Sequence, residues 1–214
     1  MRFTGHANVL YGYATACFHL GNQPEAHKYY RFLLSMEPDH SKFDEICFNL
    51  GIIEKSHYQN NTKAVEFFEH AHQATAYKQI SKLEILYQIA NTYALMVSEE
   101  QKNKSLAEKY YKEILEKLVG SNCFVNGNFV GLGGSNSSVN LSRSNEEKLK
   151  AVTLTELGWL QFQKYEDIEK RERAIQMLEF SRHIFDNMKT QFIRDQQSNT
   201  FNDFYDPKLQ CVWE

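Results

Sequence analysis

The chain has 214 residues, 42% of them apolar and 14% aromatic, enough to bury one large core or the continuous core of a solenoid. Its 24 basic and 27 acidic side chains leave a formal net charge of −3 with no basic block, so an electrostatic nucleic-acid surface has no support. No run of about 18 apolar residues occurs, and the opening Met1-Arg2-Phe3-Thr4-Gly5-His6 lacks a signal-peptide apolar core, which argues against membrane insertion and secretion.

Residues 1–119 read as three pairs of helices. In the first, Leu10, Tyr13 and Ala14 stand at i, i+3 and i+4, which is one helix face. Ala26 and Tyr30 mark its second helix, and Pro38, twelve residues after Ala26, ends it. Cys47, Leu50 and Gly51 with Ala64 and Phe68 repeat the pattern, as do Leu86, Ile89, Ala90 and Tyr93 with Ala107 and Tyr111. Two helix axes approach to roughly 8 to 10 Å only where the contacting side chains are small. Ala14, Gly51 and Ala90 are therefore expected to face Ala26, Ala64 and Ala107. Glycine costs about 1 kcal/mol relative to alanine inside a helix, so Gly51 points to close packing.

Residues 120–145, GSNCFVNGNFVGLGGSNSSVNLSRSN, hold five of the ten glycines and read as an inserted, disordered loop. Gly131-Leu132-Gly133-Gly134 lacks the spacing of a phosphate cradle. Residues 146–186 carry a fourth pair, Leu154, Leu157 and Gly158 with Ala174 and Leu178. The spacing from small residue to alanine is 12, 13, 17 and 16 in successive pairs. The extra residues, SEEQKNKS before Ala107 and YEDIEKRER before Ala174, are polar and are expected in the exposed turn between the two helices, which tolerates length. Residues 187–214 read as a linker and the start of a truncated fifth pair, opened by Trp213 after Asp206-Pro207. Phe192, Phe201, Phe204 and Tyr205 either pack on the last helix or form a short partner motif.

No constellation for catalysis emerges. The eight histidines form neither H-E-x-x-H nor H-x-D/E, the patterns of a zinc-protease helix and of a facial iron triad. His70 and His72 would point about 200° apart on a helix. Cys17, Cys47, Cys123 and Cys211 form no C-x-x-C pair and read as buried or free thiols in a reducing compartment. Glu99-Glu100 and Glu146-Glu147 read as solvated helix starts. The expectation is a chain with no catalytic residue, no metal site and no cofactor.

What remains for function is a stripe beside the small residues on the first helix of each pair. Its candidate partner-binding residues are Tyr11, Thr15 and Phe18; Phe48, Ile52 and Lys55; Tyr87 and Asn91; and Trp159 and Phe162. Rings with few charges suit a peptide groove; each residue alternatively packs against the next pair. The eight repeat-packing positions are Ala14, Ala26, Gly51, Ala64, Ala90, Ala107, Gly158 and Ala174. A clamp for chaperone-tail carboxylates needs a set of Lys, Arg and Asn, of which the stripe offers only Lys55, Asn8 and Asn91.

The pattern is similar to the tetratricopeptide (TPR) repeat, W-x2-L-G-x2-Y followed by A-x3-F and Pro. That likeness implies an all-α, right-handed superhelix of antiparallel helix pairs, an α-solenoid of about four repeats plus a truncated fifth. Such stacks hold other proteins. FDEICFNLGIIEK at Phe43 to Lys55, LYQIANTY at Leu86 to Tyr93 and TELGW at Thr155 to Trp159 resemble, in that order, the N-terminal TPR region of UTX/UTY-type histone demethylases. More distantly they resemble the yeast TPR transcriptional corepressor. The resemblance covers most of residues 8–186; the Gly/Asn/Ser-rich loop departs from it. It implies a nuclear scaffold that binds proteins or peptides, in particular subunits of chromatin-regulatory complexes, and neither nucleic acid nor membrane. The JmjC domain of the demethylases, which uses Fe(II) and 2-oxoglutarate on histone H3 lysine, has no counterpart in this chain, so its iron ligands map onto no residue here. A corepressor subunit and a generic cytoplasmic TPR adaptor are the alternative readings.

Overall fold

The computed structural model describes residues 4–74, 82–96, 100–120, 123–125, 128–129, 141–164 and 166–197. These residues form eight helices: α1 (Thr4–His19), α2 (Gln23–Met36), α3 (Phe43–Ser56), α4 (Asn61–Gln73), α5 (Lys82–Leu95), α6 (Glu100–Val119), α7 (Leu141–Lys164) and α8 (Ile168–Gln197). Between α6 and α7, β1 (Phe124–Val125) and β2 (Asn128–Phe129) pair antiparallel, Phe124 opposite Phe129.

Packing is most extensive within the consecutive pairs α1/α2, α3/α4, α5/α6 and α7/α8, and α2/α3, α4/α5 and α6/α7 join one pair to the next. The core follows that order. Tyr30, Leu33, Leu50 and Ile53 fill one cluster, Phe68, Ala71, Ile85 and Ile89 a second, and Tyr111, Ile114, Leu154, Leu157 and Met177 a third. Leu34 and Phe67 bridge the first two, while Tyr93 and Tyr110 bridge the last two. Neighbour-to-neighbour burial of this kind needs no single central core.

The helix ends have local causes. Gly21 takes φ +79°, which glycine adopts without steric cost, and Pro24 stands in the first turn of α2, where its missing N–H is no loss. Asn60 accepts the backbone N–H of Lys63 at 3.2 Å to start α4. Asp167 Oδ1 accepts the N–H groups of Glu169 at 2.9 Å and Lys170 at 3.3 Å at the start of α8, capping donors the helix leaves unpaired and complementing its dipole.

The eight small positions all lie buried between helices. A Cβ on Gly158 would stand 3.1 Å from the carbonyl oxygen of Ala174, its expected partner. At Gly51 the pairing differs from expectation. The space a Cβ would take belongs to the ring of Phe68, at 2.5 Å, one helical turn beyond Ala64.

Three further expectations need correction. The extra residues of pairs three and four do not lengthen an exposed turn; Glu100 to Ser105 and Ile168 to Arg173 are helical. Ala26 and Ala64 are the fourth residues of their helices, whereas Ala107 is the eighth and Ala174 the seventh. Three or four added residues make about one turn, so alanine returns to the same face. Glu, Lys, Arg and Gln are good helix formers, and Arg173 bonds Glu169 one turn back. The insert at 120–145 is also not structureless throughout, since it contains the β1–β2 hairpin and its last five residues belong to α7. Finally, residues 187–197 continue α8 in place of a linker. The remaining positions of the insert, and Phe201, Phe204, Tyr205, Cys211 and Trp213, lie outside the described residues.

Candidate functional site

The ten stripe residues come from α1, α3, α5 and α7. None of them is fully buried: Trp159 is 53% exposed, and the others are half-buried. They divide by what they touch.

On α1, Tyr11 lies 5.8 Å from the ring of His40, with Lys42 Nζ 6.0 Å from its centroid. Burial, and then its bond to the Glu45 carboxylate, push its hydroxyl well above the usual tyrosine range. Thr15 Oγ1 and Tyr30 Oη are 3.0 Å apart, and Asn49 Nδ2 donates to the same Oη at 3.0 Å, tying α1, α2 and α3 together. Phe18 packs on the first core cluster. On α3, Phe48 lies 5.7 Å from Phe68, and with Ile52 it covers the second cluster. Tyr87 on α5 lies 6.2 Å from Tyr111. Burial raises both hydroxyls, and the nearby Glu156 adds to it. These rings therefore each have a face against the core.

The α7 end is different. Trp159 and Phe162 stack at 6.1 Å with 14° between their planes, both from the same helix. The Arg171 guanidinium lies 5.3 Å from the centroid of Phe162. That geometry is a cation–π contact, and it leaves the large indole open to solvent.

Midway along the stripe sits its one cation. Lys55 Nζ donates to Gln88 Oε1 at 3.2 Å and to Asn91 Oδ1, so α3 is tied to α5 by an ammonium and two amides. Burial pushes the Lys55 ammonium down to about 8, against an opposing pull from Glu156. Burial likewise raises the Glu156 carboxyl, which Lys55 pulls back down. A pocket of about 560 Å³ opens beside Lys55, at the junction of α3, α4 and α5.

The sequence pattern missed Gln88 and Glu156. Each stands two residues before the small residue of its helix, as does Asn49. That shared register holds Asn, Gln and Glu on α3, α5 and α7, and it was readable as a second polar row.

Among the described residues no group of His, Cys, Asp or Glu is placed to hold a metal ion, and no helix is long and apolar enough to cross a membrane. Cys17, Cys47 and Cys123 are buried free thiols, with burial pushing Cys47 up to about 12. No protein-family model matches the chain, and no curated protein matches it in sequence.

Proposed function

We propose that the chain is a TPR-type protein-interaction scaffold, a right-handed superhelix of antiparallel helix pairs whose first-helix stripe receives a peptide segment of another protein. One observation carries this reading. In every pair the small residues are buried between helices, while the aromatic residues beside them on the same first helix keep part of their surface. A stack that spends its small side chains on internal contact and leaves rings in a row presents anchors of the kind that dominate interfaces.

The resemblance of FDEICFNLGIIEK, LYQIANTY and TELGW to UTX/UTY-type demethylases supports reading the scaffold as a non-catalytic arm of a nuclear chromatin-regulatory complex. Affinity purification of the tagged chain and of its Trp159→Ala variant from nuclear extract, followed by mass spectrometry, tests this. The expected result is recovery of chromatin-regulatory subunits by the wild type and their depletion from the variant. Recovery of chaperone tails in their place would overturn the chromatin assignment.

A further inference from the structure

The pocket at the α3–α4–α5 junction has an apolar wall, Ile52 and Leu95, and a neutral polar wall of Ser56, Gln59, Asn61 and Gln88. Among the described residues, Lys55 is the one charged side chain that lines it. An ammonium has three N–H donors; Gln88 and Asn91 accept from Lys55, and both acceptors are neutral amides. Glu156 is the carboxylate whose field Lys55 feels, but no ion pair joins the two. A cation drawn part-way out of water without a bonded counter-ion is expensive. Here it is held at the wall of an open pocket, where an incoming anion can complete it.

We propose that this pocket takes the side-chain carboxylate of an Asp or Glu within a partner's peptide segment, with an adjacent apolar side chain of that segment lying on Ile52 and Leu95. The proposal rests on the scaffold reading and names the chemistry of its ligand. Charge selects the occupant, since a cationic side chain would meet the Lys55 ammonium and be repelled. Position selects an internal residue over a chain end. Stripe residues continue on both sides, Tyr11 in the first pair and Trp159 in the fourth, so a segment reading the whole stripe enters the pocket and leaves it again. Leu95 is 55% exposed and gives the neighbouring apolar side chain a surface to cover.

The test is selection of a phage-displayed library of random short peptides on the full chain, followed by titration of the best peptide, synthesised with both ends blocked. The expected result is an acidic residue at one fixed position beside Leu, Ile or Val. Binding should fall roughly 10- to 100-fold when that residue becomes Gln or Asn, or when Lys55→Met removes the cation, because a hydrogen bond to a charged group is lost. Lys55→Arg should retain most of the affinity, and the change in the peptide leaves the protein's fold untouched. Peptides whose binding depends on Trp159 but carries no fixed acid and ignores Lys55→Met would overturn this proposal and leave the scaffold reading standing. Preference for a free C-terminal carboxylate would overturn the internal-residue assignment. Absence of any peptide sensitive to Trp159 or Lys55 would overturn both.

Discussion

The first two helix pairs and the last two solve one packing problem with second helices of different length. α2 and α4 have 14 and 13 residues, α6 and α8 have 20 and 30. In each pair the alanine of the second helix is fully buried, so the turn that α6 and α8 add before it changes what lies beyond the contact and leaves the contact itself intact. In pair four that turn carries Arg171 over Phe162, next to the exposed Trp159. In pair three it adds the buried Asn103. The added turn thus builds surface beside Trp159 in pair four and buried polar contact in pair three, without disturbing either core.

The largest expected effect separates core ring from stripe ring. Phe68 is completely buried and joins pair two to pair three, so Phe68→Ala should cost about 3 to 5 kcal/mol in chemical denaturation. Trp159→Ala should stay within about 1 kcal/mol of the wild type, as surface substitutions do. Equal losses would place Trp159 in the core.

Next come the two mid-helix glycines. Gly51→Ala drives a methyl into the buried Phe68 ring at 2.5 Å and should destabilise by about 1 to 3 kcal/mol. Gly158→Ala meets its neighbours at 3.1 to 3.2 Å, and the gain in helix propensity of about 1 kcal/mol should offset most of that strain. Thermal melts of the two variants decide; a Gly51→Ala protein as stable as the wild type would contradict the tight contact.

The extra turn of pair four has its own test. If residues 168–173 are helical, Asp167→Ala removes a real cap and should cost about 1 kcal/mol. A loop there would lose nothing.

The smallest effect is a pH dependence. Lys55 sits below its ordinary value of 10.5, at about 8, so between those values the unfolded chain binds the extra proton and stability rises with pH. Glu156 is the carboxylate that opposes the shift, and Tyr87 and Tyr111, raised by burial, stay neutral through the lower part of this window. Lys55→Met should flatten the rise between pH 8 and 10, measured by urea denaturation at each pH; an unchanged slope would show that the ammonium is fully solvated.

Much of this was legible in the sequence because the small residues recur at helical spacing. Ala14 with Ala26 and Gly158 with Ala174 define buried pair interfaces from spacing alone. Three features were hidden for physical reasons. Polarity marked SEEQKNKS and YEDIEKRER as turns, yet the same Glu, Lys and Arg residues favour an exposed helix face, and spacing cannot tell the two apart. The hairpin at Phe124–Phe129 has strands of two residues, too short for any periodicity. The Lys55 pocket joins α3, α4 and α5, residues 52 to 95, so it exists only after the helices pack. Within the stripe, the sequence did not separate Phe48 and Tyr87, which rest on Phe68 and Tyr111, from the open Trp159.

The most direct measurement is calorimetric titration of the best selected peptide into wild type and Trp159→Ala, with melting temperatures taken on the same samples. A peptide-binding stripe predicts a loss of roughly 30-fold in affinity, the 2 kcal/mol typical of an aromatic anchor, at an unchanged melting temperature. Unaltered affinity in a well-folded Trp159→Ala protein would contradict it and move the binding surface off the first helices.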